Sequence, residues 1–252
     1  MRNLVCVALL AVAFASPARA QELRVLGAAV STGGGLREVA DAFTKKTGIK
    51  VTLVTDGMGT IVGTAKTATP AADLVMLPMD LMATLALDHG ITAGSFTPLG
   101  RLEIGLFKKP DAPLPDISTV AKLAAVMKAA TVVTYTDPAS GSMQATISAE
   151  LLKRPEFAGV KGATGGRKPT AASPDGTLSL GVILGEPSPP TGQASSDPSL
   201  IGRLPAELGA HMDMAVAISA RAADVKSAQA FLTFLTSAEV APYWAAKGTN
   251  IY

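Results

Sequence analysis

"ELRVLGAAVSTGGGLREVADAF" (residues 22–43) decides the fold, because two periodicities meet inside it. Residues 22–29 alternate and then turn small, as a buried strand does, while Leu36, Val39, Ala40 and Phe43 recur at the spacing of one helix face. Between them Ser31, Thr32 and Gly33 to Gly35 read as a strand-to-helix loop, and Gly48 ends the helix. The unit then repeats. A strand over 49–55, a turn over 56–60, a short helix reaching Pro70, a strand over 72–78 and a helix over 81–89 stopped by Gly90 continue the alternation. Such an order predicts an α/β protein with mainly parallel sheets flanked by helices.

Further out, a strand over 100–107 gives way to the proline-rich 109–115, and a second series begins: helix 120–127, strand 131–135, loop 136–142, helix 144–152. Residues 154–200 hold one apolar strand, 178–184, and 185–200 carry no assignable structure. A strand over 212–218, a helix with Val225, Ala228, Phe231, Leu232 and Leu235 on one face, and a turn opened by Pro242 complete the chain. Two lobes follow, residues 21–101 with 216–252 and residues 102–215, with a ligand cleft between them.

Toward the start, Arg2, the apolar run Leu4 to Phe14 and the small-x-small ending Ser16 to Ala20 have the form of a secretory signal peptide over residues 1–20. Its apolar part is about half of the roughly 20 residues needed to span a bilayer. Removing it takes away two of the 22 basic residues and none of the 20 acidic ones, leaving a neutral chain. A neutral chain with no run of more than two adjacent Lys or Arg lacks the basic face of a nucleic-acid binder. Cys6, the one cysteine, lies in that leader, so no disulfide or thiol ligand is expected beyond it.

Catalytic patterns are scarce. His89 and His211 are the two histidines, and neither belongs to a ligand-spaced or nucleophile motif; His89 reads as a surface cap before Gly90. Gly57, Gly59 and Gly63 give G-x-G-x3-G, which is not the dinucleotide fingerprint. Met76, Met79 and Met82 read as packing rather than a metal box. No cofactor or metal is expected.

Three strand-to-helix connections instead carry hydroxyl and glycine residues: Ser31 and Thr32 with Gly33 to Gly35; Gly57, Met58, Gly59 and Thr60; and Asp137 to Ser142, with Ser140 and Ser142 as hydroxyl donors. Each is able to turn a corner and cap a helix, and together they suit an anion held between lobes by backbone amides and neutral side chains.

These stretches resemble the periplasmic molybdate-binding protein family and its carboxylate-associated relatives, a branch that includes aconitate isomerase. The likeness is carried by Ala28 to Ser31 before Leu36 to Phe43, by Pro70 to Val75, and by Ser237 to Glu239. Asp116 to Thr119, Tyr135 to Gly141, Gly202 to Leu208 and Lys247-Gly248 are closer to the aconitate isomerase-like branch. The resemblance implies a two-lobed type II periplasmic binding fold, a permease partner and a monomer. It places Ser31 on the family's first donor serine. At the second, Gly57-Met58-Gly59 replaces a serine run, leaving Thr60 as the nearest hydroxyl and favouring an organic anion over molybdate.

Arg101 is a candidate carboxylate clamp, or a strand-end arginine paired with Glu103. Tyr135 ends a strand toward the cleft; Asp137 is expected to cap the helix beginning near Ser142. The leading expectation is an extracytoplasmic solute-binding protein for a small anion. Its competitor is a periplasmic isomerase of an unsaturated tricarboxylate, with Tyr135, Asp137 or a ligand-bound carboxylate as base.

Overall fold

The computed structural model describes residues 22–165, 168–189 and 195–252, so the leader read over residues 1–20 lies outside it. Strand β1 (Glu22–Ala28) sits between β2 (Lys50–Asp56) and β3 (Leu74–Pro78), parallel to both. The single helical turn α1 (Ala29–Ser31) follows β1 and opens through a wide turn, Thr32–Leu36, into α2 (Arg37–Thr47). Gly48, at φ 75°, closes α2 in the left-handed region that favours glycine. Helices α3 (Ile61–Thr67) and α4 (Met79–Leu87) return the chain after β2 and β3.

The long β4 (Thr97–Phe107) belongs to both halves of the sheet. Its first part pairs antiparallel with β9 (His211–Ile218) and with the terminal β10 (Thr249–Ile251). Its last part pairs antiparallel with β7 (Thr177–Val182) and β8 (Leu200–Arg203). Beyond β7 the order is again parallel, with β5 (Val132–Tyr135) and then β6 (Gly162–Thr164). The sheet is therefore mixed: parallel in each outer trio, antiparallel where β4 and β9 cross. Helices α5 (Val120–Ala129) and α6 (Met143–Lys153) serve the second half, and α7 (Val225–Leu235) and α8 (Ala241–Ala245) return to the first.

Two separate cores follow. Phe43, Phe231, Leu235 and Trp244 pack with Leu23, Leu102 and Met214, while Leu106, Leu123, Met127, Val133 and Phe157 form the second core. A smaller cluster around Leu26, Ile61, Leu77 and Met82 fills the other face of the first sheet. None of the described helices is long and apolar enough to cross a membrane.

Three local expectations change. The chain turns helically from Ala29 to Gly34 where the sequence predicts a loop, and kinks at Gly35 before α2; both glycines have close neighbours. A β-carbon on Gly34 would lie 2.7 Å from Thr249 Oγ1, and one on Gly35, at φ 123°, 2.9 Å from Trp244 Cε3. At the end of α4 it is His89, at φ 58°, that takes the left-handed position, whereas Gly90 makes room for Leu85. Asp137 caps the short turn Pro138–Ser140 through Ala139 N, and Ser142 caps α6 through Ala145 N.

Candidate functional site

A cavity of about 320 Å³ opens where α1, the turn after β2 and the turn before α6 meet. Ala28, Ala29 and Val30 form one side, at the end of β1, where the first amides of a helical run lack intrahelical acceptors. Asp56, Gly57 and Met58 form the next side, and Thr136, Ser140, Ser142 and Gln144 face them from the other half of the molecule. Met212 closes the floor.

The hydroxyl oxygens on that opposite side all accept hydrogen bonds from within the protein. Thr136 Oγ1 accepts from Gln144 Nε2 at 3.3 Å, Ser140 Oγ from Ser142 N at 3.3 Å, and Ser142 Oγ from Ala145 N at 3.2 Å. Each oxygen is used as an acceptor, and each keeps its O–H proton for something else.

Asp56 behaves differently. Its carboxylate takes hydrogen bonds from the Thr64 hydroxyl, from Thr60 Oγ1 at 2.9 Å and from Gly57 N at 2.7 Å. The Thr64 bond, followed by those of Thr60 and Gly57, holds its carboxyl below the ordinary value of 3.8. The residue therefore fixes the turn at the cavity's edge. Among the described residues lining this cavity there is no Lys, Arg or His.

Several candidates fall elsewhere. Ser31 follows the lining segment 28–30 but is 1 % exposed and absent from the lining, and its hydroxyl has no hydrogen-bond partner. Thr32 continues into the wide turn, outside the lining. Thr60 spends its hydroxyl on Asp56 and the Gly57 carbonyl. Gly59 lies beside Gly141 from the opposite turn. Tyr135 packs on the second core, and Asp137 is exposed with its carboxylate on Ala139 N.

Arg101 is not paired with Glu103. Its Nε donates to Asp213 Oδ1 at 2.8 Å, and the Tyr252 hydroxyl donates to the same oxygen at 2.6 Å. Burial alone would raise the Asp213 carboxyl, but these two hydrogen bonds outweigh it and hold it below its usual value. The guanidinium is absent from the cavity lining.

Sequence reasoning missed Asp56, Gln144 and Met212. Asp56 carried a signal in the spacing of Thr60 and Thr64, which stack above it along α3; Gln144 and Met212 carried none, since only the fold brings α6 to the start of β9. Among the described residues no group of three or more His, Cys, Asp or Glu is placed to hold a metal ion.

The sequence model of a bacterial extracellular solute-binding protein family matches residues 23–250. No curated protein matches. Solved structures share the fold. The periplasmic molybdate-binding protein of Azotobacter vinelandii aligns with TM-score 0.66 at 15% identity, over 89% of this chain and 98% of that one. The tungstate-binding protein of Desulfovibrio alaskensis G20 gives 0.62 at 16% identity, over 92% and 99%. Peb3 from Campylobacter jejuni gives 0.62 at 17% identity, over 91% and 100%, and a structure of Peb3 with L-phospholactate bound aligns at 0.57. At these identities the likeness is one of fold: a two-lobed periplasmic binding protein.

Proposed function

Because the chain belongs to the bacterial extracellular solute-binding protein family, we propose that it works in the periplasm, closes its lobes on a small anion and presents it to the permease of an ABC-type transporter. The observation that carries this reading is the cavity itself, where the hydroxyl-bearing Thr136, Ser140 and Ser142 line one space with Ala28, Ala29 and Val30 at the start of a helical run. Neutral O–H and N–H donors suit an anion taken up without a counter-cation.

Within that class an organic carboxylate fits better than a bare tetraoxyanion. The cavity of about 320 Å³ falls in the range of organic-ligand pockets, roughly 300–1,000 Å³, and Val30, Met58 and Met212 give it apolar walls. The named ligands of the solved relatives, molybdate, tungstate and L-phospholactate, cover both chemistries.

A thermal-shift panel of molybdate, tungstate, sulfate, phosphate and di- and tricarboxylates tests the proposal. A ligand at 100 times its dissociation constant stabilises the fold by about 2.7 kcal/mol, a shift of several degrees. No shift with any anion at millimolar concentration would sink it.

The isomerase reading keeps one point of support, the Asp56 carboxylate at the cavity's edge. Three hydrogen bonds already occupy that carboxylate and lower its basicity, which suits a base poorly. Incubation with trans-aconitate decides it: binding without formation of the cis isomer leaves the transport role alone.

A further inference from the structure

Gln144 lines two cavities. One is the hydroxyl-rich site just described; the other, about 270 Å³, lies along β7. The second hollow is walled by Phe107, Leu180, Val182 and Leu184, and one cation, Lys168, stands at it. The Lys168 ammonium lies 5.2 Å from the Phe107 ring centroid and contacts the Asp197 carboxylate. An ammonium has three N–H donors, so one contact leaves others for a second acceptor. Glu186, the other acid near Lys168, accepts from the Ser195 and Ser196 hydroxyls and from Asp197 N.

From these two hollows we infer that the ligand is an elongated organic diacid: one carboxylate on the Thr136, Ser140 and Ser142 hydroxyls, an apolar body passing Gln144, and the second carboxylate on Lys168. The inference rests on the anion-binding reading above and narrows it. Each half of the path has the chemistry its part of the ligand needs. Neutral donors meet the first carboxylate, Leu180 and Val182 cover methylene groups that gain by leaving water, and an ammonium beside an aromatic face meets the far charge. A four-oxygen ion would occupy part of one hollow and leave the other, with its lysine, unused. Gln144 suits the junction: its amide donates to Thr136 Oγ1 at 3.3 Å, so its orientation is tied to the hydroxyl site while its side chain borders both spaces.

Isothermal titration calorimetry on the purified protein tests this with unbranched α,ω-dicarboxylates from three to eight carbons, the matching monocarboxylates, molybdate and tungstate. The expected result is an affinity maximum at one intermediate diacid length, with that diacid bound at least about tenfold tighter than its monocarboxylate. Lys168→Met should remove this advantage and leave monocarboxylate affinity within about twofold, which also shows that the variant is folded. Diacid affinity unchanged in Lys168→Met, or molybdate or tungstate bound more tightly than every diacid, overturns the inference while the anion-binding reading stands. Heat from no anion of any kind overturns both.

Discussion

Gly141 and Gly59 meet across the cleft: a β-carbon on Gly141 would lie 3.3 Å from Gly59 Cα. Gly141 also holds φ 69°, where an L side chain costs about 1–2 kcal/mol. Gly59 has no such constraint, and a β-carbon there would sit 3.9 Å from the Ser140 carbonyl, an ordinary contact. Gly141→Ala should therefore lower stability by about 1–2 kcal/mol in a denaturant melt and weaken ligand binding, because the two turns no longer approach as closely. Gly59→Ala should do neither. Equal effects of the two substitutions would show that this contact has no part in closure.

Ser142 serves two ends at once, and substitutions separate them. Its Oγ caps α6 by accepting from Ala145 N, and the residue lines the cavity with its O–H proton uncommitted by that bond. Ser142→Ala loses both, so about 1 kcal/mol of stability and a measurable share of affinity should go together. Ser142→Asp keeps an N-terminal cap but replaces the donor with a negative charge at an anion site. The expected outcome is near-native melting with binding abolished, read by calorimetry against the same ligand.

Acid should loosen the turn after β2 in a defined window. The Asp56 carboxyl is held below 3.8 in the folded chain, so its stabilising hydrogen bonds are fully present above that value and are lost as pH falls through the lower folded one. The difference in melting temperature between the native protein and Asp56→Asn should be constant from neutral pH to about 4 and shrink below it. A difference that grows on acidification would contradict the hydrogen-bond assignment.

How far these features could be read beforehand depends on whether their causes are local. The α2 face, with Leu36, Val39, Ala40 and Phe43, is set by spacing alone, and all four residues are buried in the first core. Strand β3 is legible because both its faces are covered, which requires a nearly continuous apolar run, and β1 because its apolar residues alternate before the small ending. Local propensity favours a loop over Ser31 to Gly35; the structure keeps a break only at Gly35, φ 123°, and packs Gly34 and Gly35 so closely against Thr249 and Trp244, more than 200 residues away, that no β-carbon fits. The candidate site divides the same way. The hydroxyls of Ser140 and Ser142 and the Gly57-Met58 turn were found by their place before helices, and they do line the cavity. The partner of Arg101 was missed because register, not spacing, sets Arg101 opposite Asp213 on β9.

That register carries the last prediction. Arg101 looked suited to grip a ligand carboxylate, yet its guanidinium is committed to Asp213, whose Oδ1 also receives the Tyr252 hydroxyl at the chain's end. The three residues tie β4, β9 and the segment after β10 together, a structural task. Both members of the ion pair are about a third exposed, so solvent screening limits the pair to about 0.2–1 kcal/mol. Arg101→Ala should then lower stability by no more than about 1 kcal/mol and loosen the C-terminal strand, seen as faster amide exchange at Asn250 and Ile251. Ligand affinity should stay within about twofold, because the cavity lining does not include Arg101. Tyr252→Phe should reproduce part of the exchange effect and none on binding. A loss of affinity of about 30-fold or more in Arg101→Ala, the scale of one charge-assisted hydrogen bond, would instead place the guanidinium on the ligand and break the assignment to Asp213.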